Sequence, residues 1–208
     1  VLVLKKGRAA MKHIIFDIGN VLLAFQPQAF LQKHFAPSVV DDLMAMVFGS
    51  AEWMALDMGT MMTNDAILAL ANKHPRCRDE IAFVLENWTH MLTPLEQNVA
   101  IAQELKRSGY ALYLLSNFHK EAWETVLARY DFFRLFDGRV ISCYEHCTKP
   151  DPKIYRLLLQ RYQLHAGDSL FIDDMPANIQ AAEAAGLHGL CLPYGADLRA
   201  ALQTRGLL

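Results

Sequence analysis

In this 208-residue chain the polar residues most able to do chemistry stand where short apolar runs stop. Ile14-Ile15-Phe16 ends at Asp17, and Gly19-Asn20 follows as a break. Ala111 to Leu115 runs into Ser116-Asn117, Arg139 to Ile141 into Ser142, and Leu170 to Ile172 into Asp173-Asp174. A single strand-end Asp is weak evidence, because Asp also caps helices and holds turns. Two adjacent carboxylates facing a third are different, since they repel one another strongly unless a cation sits among them. The residues therefore predict a cation site at Asp17, Asp173 and Asp174. Mg²⁺, a hard ion that prefers oxygen donors, suits that set.

The elements that must position these groups follow from the same apolar runs. The runs, with Leu190 to Leu192 as the last, alternate with helical patterns over Leu95 to Arg107, Lys120 to Tyr130, Pro152 to Tyr162 and Pro176 to Ala185. Gly109 and Gly186 stand where a left-handed cap belongs. Strands alternating with helices imply right-handed crossovers and a Rossmann-like α/β fold, a parallel sheet with helices on both faces. Ligands bind beyond the carboxyl ends of such strands, which is where these polar residues fall. From about Gln28 to Trp88 the period is helical with no strand between, Leu43, Met44, Val47 and Phe48 forming one stripe and Ala66, Ile67, Leu70 and Ala71 another. The expected organisation is a core over 12–24 and 93–208, a small all-helical cap over 25–92 inserted after the first strand, and residues 1–11 as an upstream extension or expression remnant.

Taken in order, Phe16-Asp17-Ile18-Gly19-Asn20-Val21, Leu115-Ser116-Asn117, Lys149-Pro150-Asp151-Pro152-Lys153-Ile154-Tyr155 and Phe171-Ile172-Asp173-Asp174 with Asn178 resemble the four motifs of the haloacid dehalogenase-like hydrolases. The likeness runs from about Lys12 to Pro193, and the long gap after the first motif resembles the helical cap of one branch. It implies an enzyme that hydrolyses small phosphomonoesters through an aspartyl-phosphate on Asp17, with Asp17, the Gly19 carbonyl, Asp173 and Asp174 around Mg²⁺. Lys149 resembles the family lysine that neutralises both the nucleophile and the transferring group. Ser116 and the backbone of Asn117 would hold phosphoryl oxygens. Asn178 lies where many relatives carry an Asp, and an amide could act there only by hydrogen bonding.

Gly19 departs from the phosphatase pattern, which has a second Asp two residues after the nucleophile as proton donor. Asp-Ile-Gly-Asn-Val resembles the bacterial glucose-1-phosphate phosphatase branch, and a sugar 1-phosphate leaves as a weakly basic hemiacetal oxygen. Trp53, with Trp88 and Phe25, could present aromatic faces to a sugar, or could pack the cap. His119 is a further candidate acid, although a His in the first turn of a surface helix is commonly solvated. Two other readings remain: a metal-free 2-haloacid dehalogenase using the same Asp, and a binding protein that keeps the fold without turnover.

The bulk properties set limits on partners. A net charge of -2 gives no basic surface for nucleic acid. No apolar stretch approaches the roughly 20 residues that cross a bilayer, and the opening Val1 to Leu4 precedes Lys5, Lys6 and Arg8, the reverse of an export signal. Cys77, Cys143, Cys147 and Cys191 are scattered, which points to reduced thiols in the cytoplasm. Cys143, His146 and Cys147 lack a second ligand pair at zinc spacing. The expected partner is a small phosphorylated metabolite, and the expected state a monomer or homodimer.

Overall fold

The structure is a computed structural model, and residues 11–208 are described. The proposed extension therefore lies outside the described residues except for Met11, which packs against the core. The strands are β1 (His13–Phe16), β2 (Ala111–Ser116), β3 (Gly138–Ile141), β4 (Ser169–Asp173) and β5 (His188–Cys191). They form one parallel sheet in the order β3-β2-β1-β4-β5. Side chains alternate between its faces. Ile14, Phe16, Leu112, Leu114, Leu170 and Ile172 enter one apolar cluster. Ile15, Tyr113, Leu115 and Phe171 enter the other.

Helices cover both faces, as the near-continuous apolar strands require. Helices α6 (Glu96–Arg107), α7 (Lys120–Arg129) and α11 (Leu198–Gln203) bury residues in the first cluster, Trp123 of α7 among them. Helices α9 (Pro152–Arg161) and α10 (Pro176–Ala184) do so in the second. A single turn, α8 (Ser142–Glu145), follows β3 directly. Gly109 and Gly186 have φ of 92° and 90°, the left-handed stops expected of them.

Between β1 and α6 the chain makes α1 (Pro27–Leu31), α2 (Pro37–Leu43), α3 (Ala51–Asp57), α4 (Thr63–Lys73) and α5 (Arg78–Asn87). These helices share an apolar core of their own, centred on Leu31, Leu43, Val47, Ala66, Leu70, Ile81 and Val84. Each fully buried aliphatic side chain there contributes about 1.5–3 kcal/mol. The stripe from Leu43 to Phe48 is not regular α-helix, because Met44–Phe48 winds as a π-helical turn. The Ser50 hydroxyl then caps α3 by accepting from the Trp53 amide at 3.0 Å. Among the described residues no helix is long and apolar enough to cross a membrane.

Candidate active site

Register brings the first and last motifs together. Phe16 pairs with Ile172 in the sheet, so the next residues, Asp17 and Asp173, emerge side by side. The Asp17 amide donates to the Ile172 carbonyl at 2.9 Å and fixes that level. Between the two carboxylates stands Lys149, whose Nζ lies 2.8 Å from Asp17 Oδ1 and 2.6 Å from Asp173 Oδ2. All three groups are buried. Burial alone would discharge the lysine, but the flanking carboxylates hold its pKa above the usual range. Burial pushes Asp17 up; Lys149 opposes the shift and Asp173 adds to it.

The surroundings hold this group in place. The Asn117 side chain makes a two-way bond with the Lys149 backbone: Nδ2 donates to its carbonyl at 3.0 Å, and Oδ1 accepts from its amide at 2.7 Å. Asp173 accepts from the Met175 amide at 2.8 Å and from Asn178 Nδ2 at 3.0 and 3.1 Å. Tyr155 in turn donates to the Asn178 carbonyl at 2.9 Å. Asn178 thus acts here by hydrogen bonding to Asp173. Asn117→Ala should leave two buried backbone groups of Lys149 unpaired, a loss of about 2 kcal/mol. Chemical denaturation checks this.

Asp17, Asp173 and Asp174 offer one oxygen each within 4.8 Å of one another, which makes them the group among the described residues able to hold a metal. Three carboxylates face one lysine there. Asp17 Oδ1 is moreover buried with no hydrogen bond of acceptable direction, despite the nearby ammonium. An all-oxygen donor set with excess negative charge and an unsatisfied acceptor fits a hard divalent cation. Burial, offset by a hydrogen bond from Asn20, raises the Asp174 carboxyl. Gly19 borders the same cavity, and a Cβ there would meet nothing nearer than 3.9 Å, so neither sterics nor a positive φ demands glycine at that position. By contrast Cys143 and Cys147 lie in different apolar clusters, and His146 faces the Met58 carbonyl, which leaves no clip between them.

Above these groups opens a cavity of about 410 Å³. Ser116 and Asn117 line its floor, and besides a long 3.4 Å contact with the Asn117 carbonyl the Ser116 hydroxyl hydrogen-bonds the Asp17 carboxylate, which keeps it beside that group. Trp53 and Trp88 form the opposite wall with Phe25. Their rings interlock, Trp53 and Trp88 at 5.0 Å and Phe25 at 6.2 and 6.0 Å from them, so each both packs and faces the cavity. His119 is not the solvated surface group its position predicts. It is 2% exposed, with its ring 4.2 Å from Trp53 and 4.9 Å from Trp88, and burial pushes its pKa down to about 3.

Two residues of this site escape the sequence reading. Asn20, at φ 56°, donates to Asp174 Oδ2 at 2.9 Å while its Oδ1 accepts from the Phe25 amide and Gln26 Nε2. It ties the acidic cluster to the entry of the helical segment, and its signal is a residue type that tolerates the left-handed region after a glycine. Asp57, at the end of α3, also lines the cavity. Its signal is an acid inside the otherwise apolar run Met54-Ala55-Leu56-Asp57-Met58.

A family model described as haloacid dehalogenase-like hydrolase matches residues 11–186. The chain belongs to that family and is a hydrolase. It is 29% identical over 181 residues to the sesquiterpene phosphatase astK of Aspergillus oryzae, covering 87% of this chain and 89% of that protein. It is 26% identical over 189 residues to a phosphorylated carbohydrates phosphatase of Thermotoga maritima, 85% of this chain and 82% of that one. A family enzyme of Bacteroides thetaiotaomicron, solved as a complex with magnesium and inorganic phosphate, superposes with a TM-score of 0.74 at 18% identity, over 92% of this chain and 99% of that chain. At that identity the likeness speaks for the fold.

Proposed function

We propose that this hydrolase is a Mg²⁺-dependent phosphatase of small phosphomonoesters that works through an aspartyl-phosphate on Asp17. The observation that carries this reading is the buried Asp17–Lys149–Asp173 group beside Asp174, at the floor of a cavity of metabolite size. Asp17 and Asp174 would hold the ion with the Gly19 carbonyl, and Asp173, already saturated with donors, would support the shell. Mg²⁺ bound there would supply positive charge that lets a carboxylate approach a dianionic ester. Asp17 attacks phosphorus. Lys149 neutralises charge on both attacking and transferring oxygens without moving, because two carboxylates already fix its position. Ser116 and the Asn117 amide hold equatorial oxygens at the floor.

The rest of the ester meets the aromatic wall. A sugar phosphate fits by stacking on Trp53, in line with the Asp-Ile-Gly-Asn opening and with the carbohydrate-phosphate relative. A second reading is the phosphate of an apolar alcohol, favoured by Phe25, Trp53, Trp88, Leu92 and Phe118 around the cavity and by the sesquiterpene phosphatase relative. A metal-free dehalogenase has no use for the crowded third carboxylate. Four free cysteines are in keeping with a reducing cytoplasm.

Phosphate release from a panel of sugar phosphates and isoprenoid-type monophosphates, with Mg²⁺ or with chelator, tests the proposal. Metal-dependent release from at least one group is expected, and its absence from every ester sinks it. Trp53→Ala should raise KM about tenfold for the preferred ester while inhibition by inorganic phosphate stays unchanged. An unchanged KM would remove Trp53 from the substrate wall.

A further inference from the structure

Breaking a phosphate ester expels an alkoxide, and a proton delivered to that oxygen is worth about 10²–10⁴ in rate. In-line attack from Asp17 puts the leaving oxygen on the far side of phosphorus, toward the helical segment. The loop beside the nucleophile has no proton to give, since Gly19 lacks a side chain and Asn20 is an amide tied to Asp174. Lys149 is clamped between two carboxylates, and Asp174 belongs to the cation cluster. His119, pushed down to about 3, is neutral between its indoles.

Asp57 differs from all of these. Burial pushes its carboxyl up to about 7, Lys149 pulling it down and Asp17 adding to the rise. The groups that face it are His119 Nε2 at 3.5 Å, Lys149 and Asp17 from the core, and the Cys143 thiol from α8. That Nε2 is buried with no hydrogen bond of its own. Core contacts also hold the Asp57 backbone. The Ser142 hydroxyl donates to the Asp57 carbonyl at 2.5 Å while accepting from the Phe118 amide at 3.0 Å. His146 Nδ1 lies 2.9 Å from the Met58 carbonyl. Gly59, at φ +64°, sits so close to Cys143 that a Cβ would stand 2.0 Å from its carbonyl oxygen. The end of α3 is thereby pinned onto α8, the turn that follows β3, beside the Ser116-Asn117 floor.

We propose that Asp57 is the proton donor to the leaving oxygen, and afterwards the base for the water that clears Asp17; the assignment rests on the phosphatase reading. In the first half-reaction a bond forms from the Asp17 carboxylate to phosphorus and the ester P–O bond breaks. Its electron pair stays on the alcohol oxygen, which takes the Asp57 proton. In the second, water oxygen bonds to phosphorus and the P–O bond to Asp17 breaks, returning the pair to the carboxylate. The water proton passes to Asp57, which restores both groups.

The test compares wild type with Asp57→Asn, both with Mg²⁺, on p-nitrophenyl phosphate and on an alkyl phosphate. Nitrophenolate leaves without a proton, whereas an alkoxide does not. In single turnovers the variant should lose at least about 100-fold in alcohol release yet stay within about threefold for nitrophenol. It should then show a burst of nitrophenol followed by slow turnover, because the acyl phosphate lacks its base. Wild-type alkyl release should fall as pH rises and the buried Asp57 carboxyl loses its proton, and the variant should lack that limb. Asp57→Glu, which keeps the acid, should restore part of the alkyl rate. Equal loss on both esters, or no loss on the alkyl ester, overturns the assignment and leaves the phosphatase standing. No release from either ester by wild type overturns the phosphatase reading and the assignment with it.

Discussion

Asp17→Asn is expected to lower turnover by at least about 10⁴-fold while the protein keeps its fold. The amide is nearly isosteric with the carboxylate, so the strand end, the Ile172 contact and the apolar packing of Phe16 and Ile18 persist. What disappears is the nucleophile. Lys149 keeps its 2.6 Å partner Asp173, so no charge is left bare. Removing one of three mutually repelling carboxylates should make the metal-free protein as stable as wild type or more so. Steady-state assays together with thermal unfolding separate the two effects. Residual activity near wild type would dismiss Asp17 as nucleophile.

Lys149→Met has the opposite profile, a large loss of stability as well as of activity. It leaves Asp17 and Asp173 buried at 7% and 0% exposure with their common counter-ion gone. Deleting one partner of a buried pair costs about 3–5 kcal/mol, or roughly 6–20 °C in Tm for a chain of this size. The sign with pH follows. The Asp17 carboxyl, whose folded pKa is raised by burial, stabilises below its unfolded value and loses that stability as pH rises through the folded one. The variant should therefore approach wild type near pH 4 and fall furthest behind at neutral pH. Mg²⁺ should recover part of the deficit by replacing the missing charge. Thermal melts across pH with and without Mg²⁺ check this, and a pH-independent loss would deny that charge is its cause.

The sheet was legible because its three central strands, β1, β2 and β4, are buried on both faces and read as nearly unbroken apolar runs. β5 was placed two residues late, since its opening His188-Gly189 is polar and carries no apolar signal at a sheet edge. The short α8 and α11 were missed, because one or two turns show no helical period. The stripe at Leu43 to Phe48 was visible, but its π-helical turn was not. At the site, the strand-end carboxylates and Lys149 could be found from motif order. The partners that hold them could not. Asn117 meets the Lys149 backbone 32 positions away, and Asn20 meets Asp174 across 154, pairings that only the fold brings about. His119 misled because burial depends on Trp53 and Trp88 arriving from the helical segment.

The most direct test of the central claim is rapid acid quench of the Mg²⁺-loaded enzyme turning over a ³²P-labelled ester, followed by peptide mapping. The account predicts transient label on the peptide that contains Asp17, appearing with the released alcohol and decaying with inorganic phosphate. Product accumulating with no label on that peptide at any quench time, or with label on another residue, would contradict it.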